Sequence, residues 1–170
     1  MKDAVPQEHK SHAPASVGCF VLTISDSKTS ETDTSGALIR ELLSASGHRV
    51  TGHAIVKDEP AQVAAVIRSG CAAPSVEAFV LTGGTGITSR DSTYEAIDAL
   101  LDKRLAGFGE LFRMLSFQEI GAAAMLSRAQ GGVVQGRVLF SLPGSPNACR
   151  LALEKLIIPE LPHLIREVRR

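Results

Sequence analysis

An α/β domain of three layers, with helices covering both faces of a mostly parallel sheet, is predicted from three observations. Four apolar runs, Cys19 to Ile24, Val50 to Val56, Ala78 to Leu81 and Val138 to Leu142, are too short for buried helices and end at turn residues. Three of them lack in/out alternation, which is how strands covered on both faces read. Helical periodicity fills the segments between them, so strand and helix alternate along the chain.

The elements follow in order. Leu38, Ile39, Leu42 and Leu43 share one helical face, as do Val63, Val66 and Ile67, and then Ile97, Leu100 and Leu101. Gly47 and Gly70 fall where left-handed caps would close the first two helices, Pro60 can open the second, and Ser92-Thr93-Tyr94-Glu95 has the spacing of a capping box. From Leu105 to Arg128 the chain is rich in Gly, Phe, Met and Ala and reads as two short helices meeting near Gly121. Gly131 to Leu142 reads as a hairpin turning at Gln135-Gly136, which leaves room for one antiparallel strand at an edge. The last strand leads through a Pro-Gly-Ser-Pro turn into a helix running toward Ile157, with Pro146 suited to its first position. Residues 1–16 are polar, hold two prolines and read as a mobile tail. Residues 17–170 form one domain, the number of cores that 170 residues and 18.0 kDa support.

Composition removes several functions. Lys and Arg number 18 and so do Asp and Glu, so no global field gathers nucleic acid or anionic lipid. With 4% aromatics and no tryptophan, base-stacking platforms are scarce. Cys19, Cys71 and Cys149 are an odd set in apolar surroundings with no Cys-x-x-Cys pair, and no signal peptide or membrane segment is visible, so the expectation is a cytoplasmic protein without disulfides. His48, His53 and His163 lack metal-ligand spacing. Phe108, Phe112, Met114 and Phe117 read as core or subunit contact.

Ligands of such sheets bind beyond the carboxyl ends of the strands, and the sequence concentrates chemistry there. Phe79-Val80-Leu81 runs into Thr82-Gly83-Gly84-Thr85-Gly86, where glycines turn backbone N–H groups toward an anion and the hydroxyls of Thr82 and Thr85 add donors. The loop matches neither a Walker A motif nor a dinucleotide fingerprint, and glycines serving only a tight turn are the plainer alternative. Arg90 and Asp91 follow, one able to clamp phosphate oxygens and the other to hold magnesium; a surface ion pair or a helix cap is the alternative. Asp58 follows the second strand, and Ser25-Asp26 the first, so three carboxylates fall at one edge beside an anion loop; each could equally cap a helix or be a solvated charge. Pro143-Gly144-Ser145-Pro146 offers a second anion site or simply a helix start. This grouping points to metal-assisted phosphoryl or nucleotidyl transfer.

Thr-Gly-Gly-Thr-Gly with Arg-Asp at 82–91, GFGELFRMLSFQEIG at 107–121, LSR at 126–128 and LPGSPNACR at 142–150 together resemble the MoaB/MogA family of molybdenum cofactor biosynthesis, and the 107–121 block with its Ala148-Cys149-Arg150 counterpart looks closer to the MoaB branch. The resemblance spans about Gly18 to Pro159. It implies a three-layer α/β domain assembling as a homotrimer or homohexamer. It also implies binding of molybdopterin, a pterin with a dithiolene and a terminal phosphate, which active relatives adenylylate with Mg-ATP, releasing pyrophosphate. The family's two acidic catalytic and magnesium-holding positions match Asp58 and Asp91, its serine before an arginine matches Ser127, and its glycine loop and turn match Thr82 to Gly86 and Pro143 to Pro146. Two other readings stand beside this one: a MoaB-branch carrier that binds molybdopterin without transfer, and a nucleotide-acting domain like that of CinA-like proteins, against which the 107–121 block counts.

Overall fold

The computed structural model describes residues 13–89 and 91–170. Six strands form one sheet in the order β2-β1-β3-β6-β5-β4: β1 (Gly18–Ile24), β2 (Arg49–Val56), β3 (Ala78–Gly83), β4 (Lys103–Arg104), β5 (Gln130–Val134) and β6 (Arg137–Leu142). The first three and β6 are parallel, while β5 and the two-residue β4 run antiparallel. Antiparallel pairing therefore extends one strand beyond the predicted hairpin, because Asp102 N–H and Leu105 N–H reach the carbonyls of Val133 and Gly131 at 2.8 Å and draw residues 103–104 onto β5.

Alternating side chains of the sheet feed two cores. Val21, Val80, Phe140 and Leu142 point to the layer built by α1 (Thr34–Ala45), α4 (Ala106–Ile120), α5 (Pro146–Ala152) and α6 (Ile158–Val168), where they meet Ile39, Leu43, Phe112, Cys149 and Leu161. Leu22, Phe79, Leu81 and Leu139 point the other way, against Val63 and Ile67 of α2 (Pro60–Ala72) and Ile97 of α3 (Thr93–Leu100). Burial on both faces is what removes alternation from the strand sequences. Edge strand β2 differs: none of its residues is fully buried.

Several sequence expectations change. Gly70 does not end α2, which continues to Ala72; a β-carbon there would lie 2.6 Å from Phe79 Cε1, so the glycine makes room for an aromatic ring rather than capping a helix. The 105–128 segment holds one long helix, α4, followed by a 3₁₀ helix over Gly121–Leu126, with Gly121 (φ 63) at the junction as expected. The capping box does not close: Ser92 occupies the cap position without a side-chain bond, and the Glu95 carboxylate turns to Arg128. The C-terminal helix runs past Ile157, through a π turn at Leu153–Ile157 and into α6; Pro159, lacking an N–H, cannot bond the carbonyl one turn back. Gly47 (φ 82) and Pro60 stand where predicted. His9, His12 and most of the N-terminal tail fall outside the described residues.

Candidate functional site at the carboxyl edge of the sheet

The strand order produces a reversal beside β1: the chain crosses from β1 to β2 on one side and reaches β3 on the other. In open α/β sheets, this reversal opens a crevice at the carboxyl ends of the strands. Register makes the ends level. Ile24 lies between Val56 and Gly83, and Thr82 beside Leu142, so four loops leave the sheet at one edge.

Each loop is tied to its neighbour. Ser25 N–H donates to Val56 O at 2.8 Å, and Asp58 N–H donates to Asp26 Oδ1 at 3.1 Å, so Asp26 and Asp58 are held side by side on adjoining loops. Ser25 Oγ accepts the N–H groups of Ser27 and Lys28 at 3.3 and 3.2 Å and shapes the first loop. Gly83 (φ 91) approaches the first strand so closely that a β-carbon would lie 2.1 Å from Ile24 O, and at Gly84 (φ 66) it would lie 2.9 Å from Thr93 Cγ2 of α3. Gly144 abuts Gly83, its notional β-carbon 3.6 Å from the Gly83 Cα. The predicted residues Ser25, Asp26, Asp58, 82–86 and 143–146 therefore line one edge.

Several of these groups are already engaged. The Thr82 side chain is buried in the layer of α5, where its hydroxyl donates to Pro143 O at 3.1 Å and meets Cys149 Sγ at 3.2 Å. The expected ligand donor thus ties β3 to the loop after β6, since a buried hydroxyl needs a partner. Ser145 Oγ accepts Ala148 N–H at 3.3 Å, capping α5, and Gly144 O accepts the Ser35 hydroxyl at 2.8 Å. Asp91 is not a helix cap: its Oδ2 accepts both the N–H and the hydroxyl of Thr88 at 2.7 Å and lies against Gly86, where a β-carbon would come within 2.2 Å. Arg90 lies outside the described residues. Ser127 accepts Ala129 N–H at 3.4 Å and precedes Arg128, which reaches the glycine loop.

Sequence reasoning missed two residues. Arg128 donates from Nε to Thr85 O at 3.2 Å, from Nη2 to Gly86 O and from Nη1 to Glu95, with its guanidinium 4.5 Å from the centre of the Tyr94 ring. Asp33, 3% exposed, accepts the Thr23 hydroxyl at 2.7 Å and Gly36 N–H at 2.9 Å, and lies 3.0 Å from His53 Nε2, so it caps α1 beneath the first loop. Arg128 stands in the Leu126-Ser127-Arg128 block, but nothing local in sequence marks the contacts that either residue makes.

No three or more His, Cys, Asp or Glu side chains among the described residues could hold a metal ion together. The donor set that exists, carboxylates on neighbouring loops, suits magnesium that brings phosphate oxygens as its other ligands.

The model of the family described as "Probable molybdopterin binding domain" matches residues 20–163. The chain belongs to this family. Among its relatives, molybdenum cofactor biosynthesis protein B of Halalkalibacterium halodurans is 53% identical over 163 residues, 95% of this chain and 96% of the other. A crystal structure of a molybdenum cofactor biosynthesis protein B superposes with a TM-score of 0.90 at 52% identity, covering 94% of this chain and 99% of that one. The tungsten cofactor synthesizing protein MoaB from Pyrococcus furiosus superposes at 0.81 with 41% identity, covering 93% and 100%. The resemblance to the MoaB branch is thereby borne out, as is the fold class, and the chain's role lies in molybdenum cofactor biosynthesis.

This family member has a thiol under the edge, and its state bears on the chemistry. Burial pushes Cys149 up to about 11, with Asp33 adding to the rise while hydrogen bonds to Thr82 and Ser35 oppose it. Burial likewise takes Cys19 to about 12 and raises Cys71. Burial thus disfavours the thiolate form of Cys149 near neutral pH. Iodoacetamide at neutral pH should leave all three cysteines of the native protein unmodified while labelling all three after unfolding. Rapid neutral labelling of Cys149 would contradict its burial.

Proposed function

We propose that this chain binds molybdopterin in the cytoplasm and transfers the adenylyl group of Mg-ATP to its terminal phosphate, releasing pyrophosphate. One observation carries the reading: loops bearing Asp26, Asp58 and the glycines leave adjacent strands and are fastened together by the Asp26–Asp58 bond and the approach of Gly83 to Ile24. The names of the relatives, molybdenum and tungsten cofactor proteins, support the pterin half of it.

The chemistry makes modest demands. A phosphate oxygen of molybdopterin attacks the α-phosphorus of ATP, the bond from that phosphorus to the bridging oxygen breaks, and pyrophosphate departs with the electron pair. An ionised phosphate needs no general base, so the chain has only to hold two polyanions together and offset their charge. Magnesium, when bound, neutralises charge developing on the departing pyrophosphate. Asp58 and Asp91 hold that ion, the N–H groups around Gly83, Gly84 and Gly86 with Arg90 hold phosphate, and Ser25, Asp26, Ser127 and the Pro143 to Pro146 turn line the remainder of the site.

The bonds from Thr88 to Asp91 favour a second reading, in which Asp91 shapes the loop of a molybdopterin carrier. Asp91→Asn separates the two, because the amide oxygen can still accept from Thr88 while the charge is gone. Purified protein with molybdopterin and Mg-ATP should release pyrophosphate only when the pterin is present, and Asp91→Asn should slow this at least 100-fold, about 2.7 kcal/mol of transition-state stabilisation. Normal turnover by the variant would remove the catalytic role of Asp91; wild type that binds pterin without consuming ATP is the carrier.

The protein acts as a homo-oligomer, trimer or hexamer. Phe108 and Phe112 are core, but Leu111, Met114, Phe117, Ile120, Met125 and Leu126 are exposed together along α4 and the 3₁₀ helix, with Met125 at 79% and Phe117 at 61%. An apolar stripe of this kind marks an interaction surface. Sedimentation at micromolar concentration should give an oligomer that Phe117→Glu breaks into smaller species; a wild-type monomer would contradict the assignment.

A further inference from the structure

We infer that Arg128 is the positioning residue of the glycine loop, fixing it in the orientation that presents N–H groups to a phosphate. The inference rests on the reading above, in which that loop receives an anion. Arg128 joins the chain just after the 3₁₀ helix, more than 40 residues from the loop it touches, and two of its donors go to consecutive carbonyls, those of Thr85 and Gly86. In a trans peptide the C=O and the following N–H point in opposite directions. Holding the carbonyls of Thr85 and Gly86 against the guanidinium therefore aims the N–H groups of Gly86 and Ile87 away from it. The same contacts withdraw two carbonyl oxygens that would repel a phosphate.

Arg128 is not itself arranged as the phosphate ligand. Its third contact goes to Glu95, which offsets its charge, and its flat face rests over Tyr94, so the guanidinium is fixed from three directions and below. The side chain is only 22% exposed. Glu95 and Tyr94 both belong to α3, and Thr93 of the same helix touches Gly84, so α3 and Arg128 enclose the loop from opposite ends of its sequence. The carboxylate at the third helical position thus serves Arg128 rather than the helix terminus, which leaves the Glu95 half of the capping box unmade.

The test uses the full chain with Arg128→Ala, Arg128→Lys and Tyr94→Leu. Hydrogen exchange of the ligand-free protein should be faster across residues 83–88 in Arg128→Ala, with the thermal midpoint close to wild type. Equilibrium binding of molybdopterin and of Mg-ATP, measured separately, should show one affinity weakened at least about tenfold and the other little changed. Arg128→Lys should not restore binding, since an ammonium cannot bridge two carbonyls and a carboxylate in one plane. Tyr94→Leu, which keeps all three hydrogen bonds, should have a smaller effect of the same kind, and it carries the test if Arg128→Ala does not fold. Unchanged exchange at 83–88, both affinities unchanged, or both lowered equally together with the thermal midpoint would overturn the inference. Wild type that binds neither molybdopterin nor Mg-ATP would instead sink the proposed function, and the exchange comparison would still decide whether Arg128 orders the loop.

Discussion

The approach of Gly83 to Ile24 is the contact on which the edge depends. Its backbone lies where any β-carbon would come within 2.1 Å of the Ile24 carbonyl oxygen, in a region of φ that side chains disfavour. That approach lets the third strand turn sharply at the level where the first one ends. The glycine loop then stays over the crevice beside β1 instead of leaving toward solvent. Gly144 abuts the same residue from the other side. A larger residue at position 83 would separate three loops at once.

Around this contact, several polar groups build the edge. Thr82, Ser145, Ser35 and Asp33 are spent on holding strands and helix starts together. Asp26 and Asp58 stand on adjoining loops, with one carboxylate accepting the other's backbone N–H. Asp91 shapes the turn at Thr88 and lies against Gly86.

Most of the fold was legible because burial on both faces of a parallel sheet leaves a plain mark, runs such as Phe79-Val80-Leu81 without alternation. That these loops share one edge was legible where the segments are contiguous in sequence and follow strands: the glycines of 83–86, the carboxylates just past strand ends, the Pro-Gly-Ser-Pro turn. Three kinds of feature were not. Side-chain direction was invisible, so the Thr82 hydroxyl read as a ligand donor although the pleat turns it inward. Long-range pairing was invisible, so Arg128 and Asp33 passed unnoticed, their partners lying on other elements. Competition for one group was invisible too: Glu95 has the spacing of a capping box, and Gly70 that of a helix end, yet Arg128 and the Phe79 ring decide what each does.

The most direct measurement is the amide ¹H–¹⁵N spectrum of the labelled protein during titration with molybdopterin and then with Mg-ATP. The largest shifts should fall on residues 25–26, 57–58, 83–91 and 143–145, with Gly83, Gly84 and Gly86 among the first to move. Shifts confined to the apolar face of α4, with the glycine amides unmoved, would contradict an anion site at the carboxyl edge.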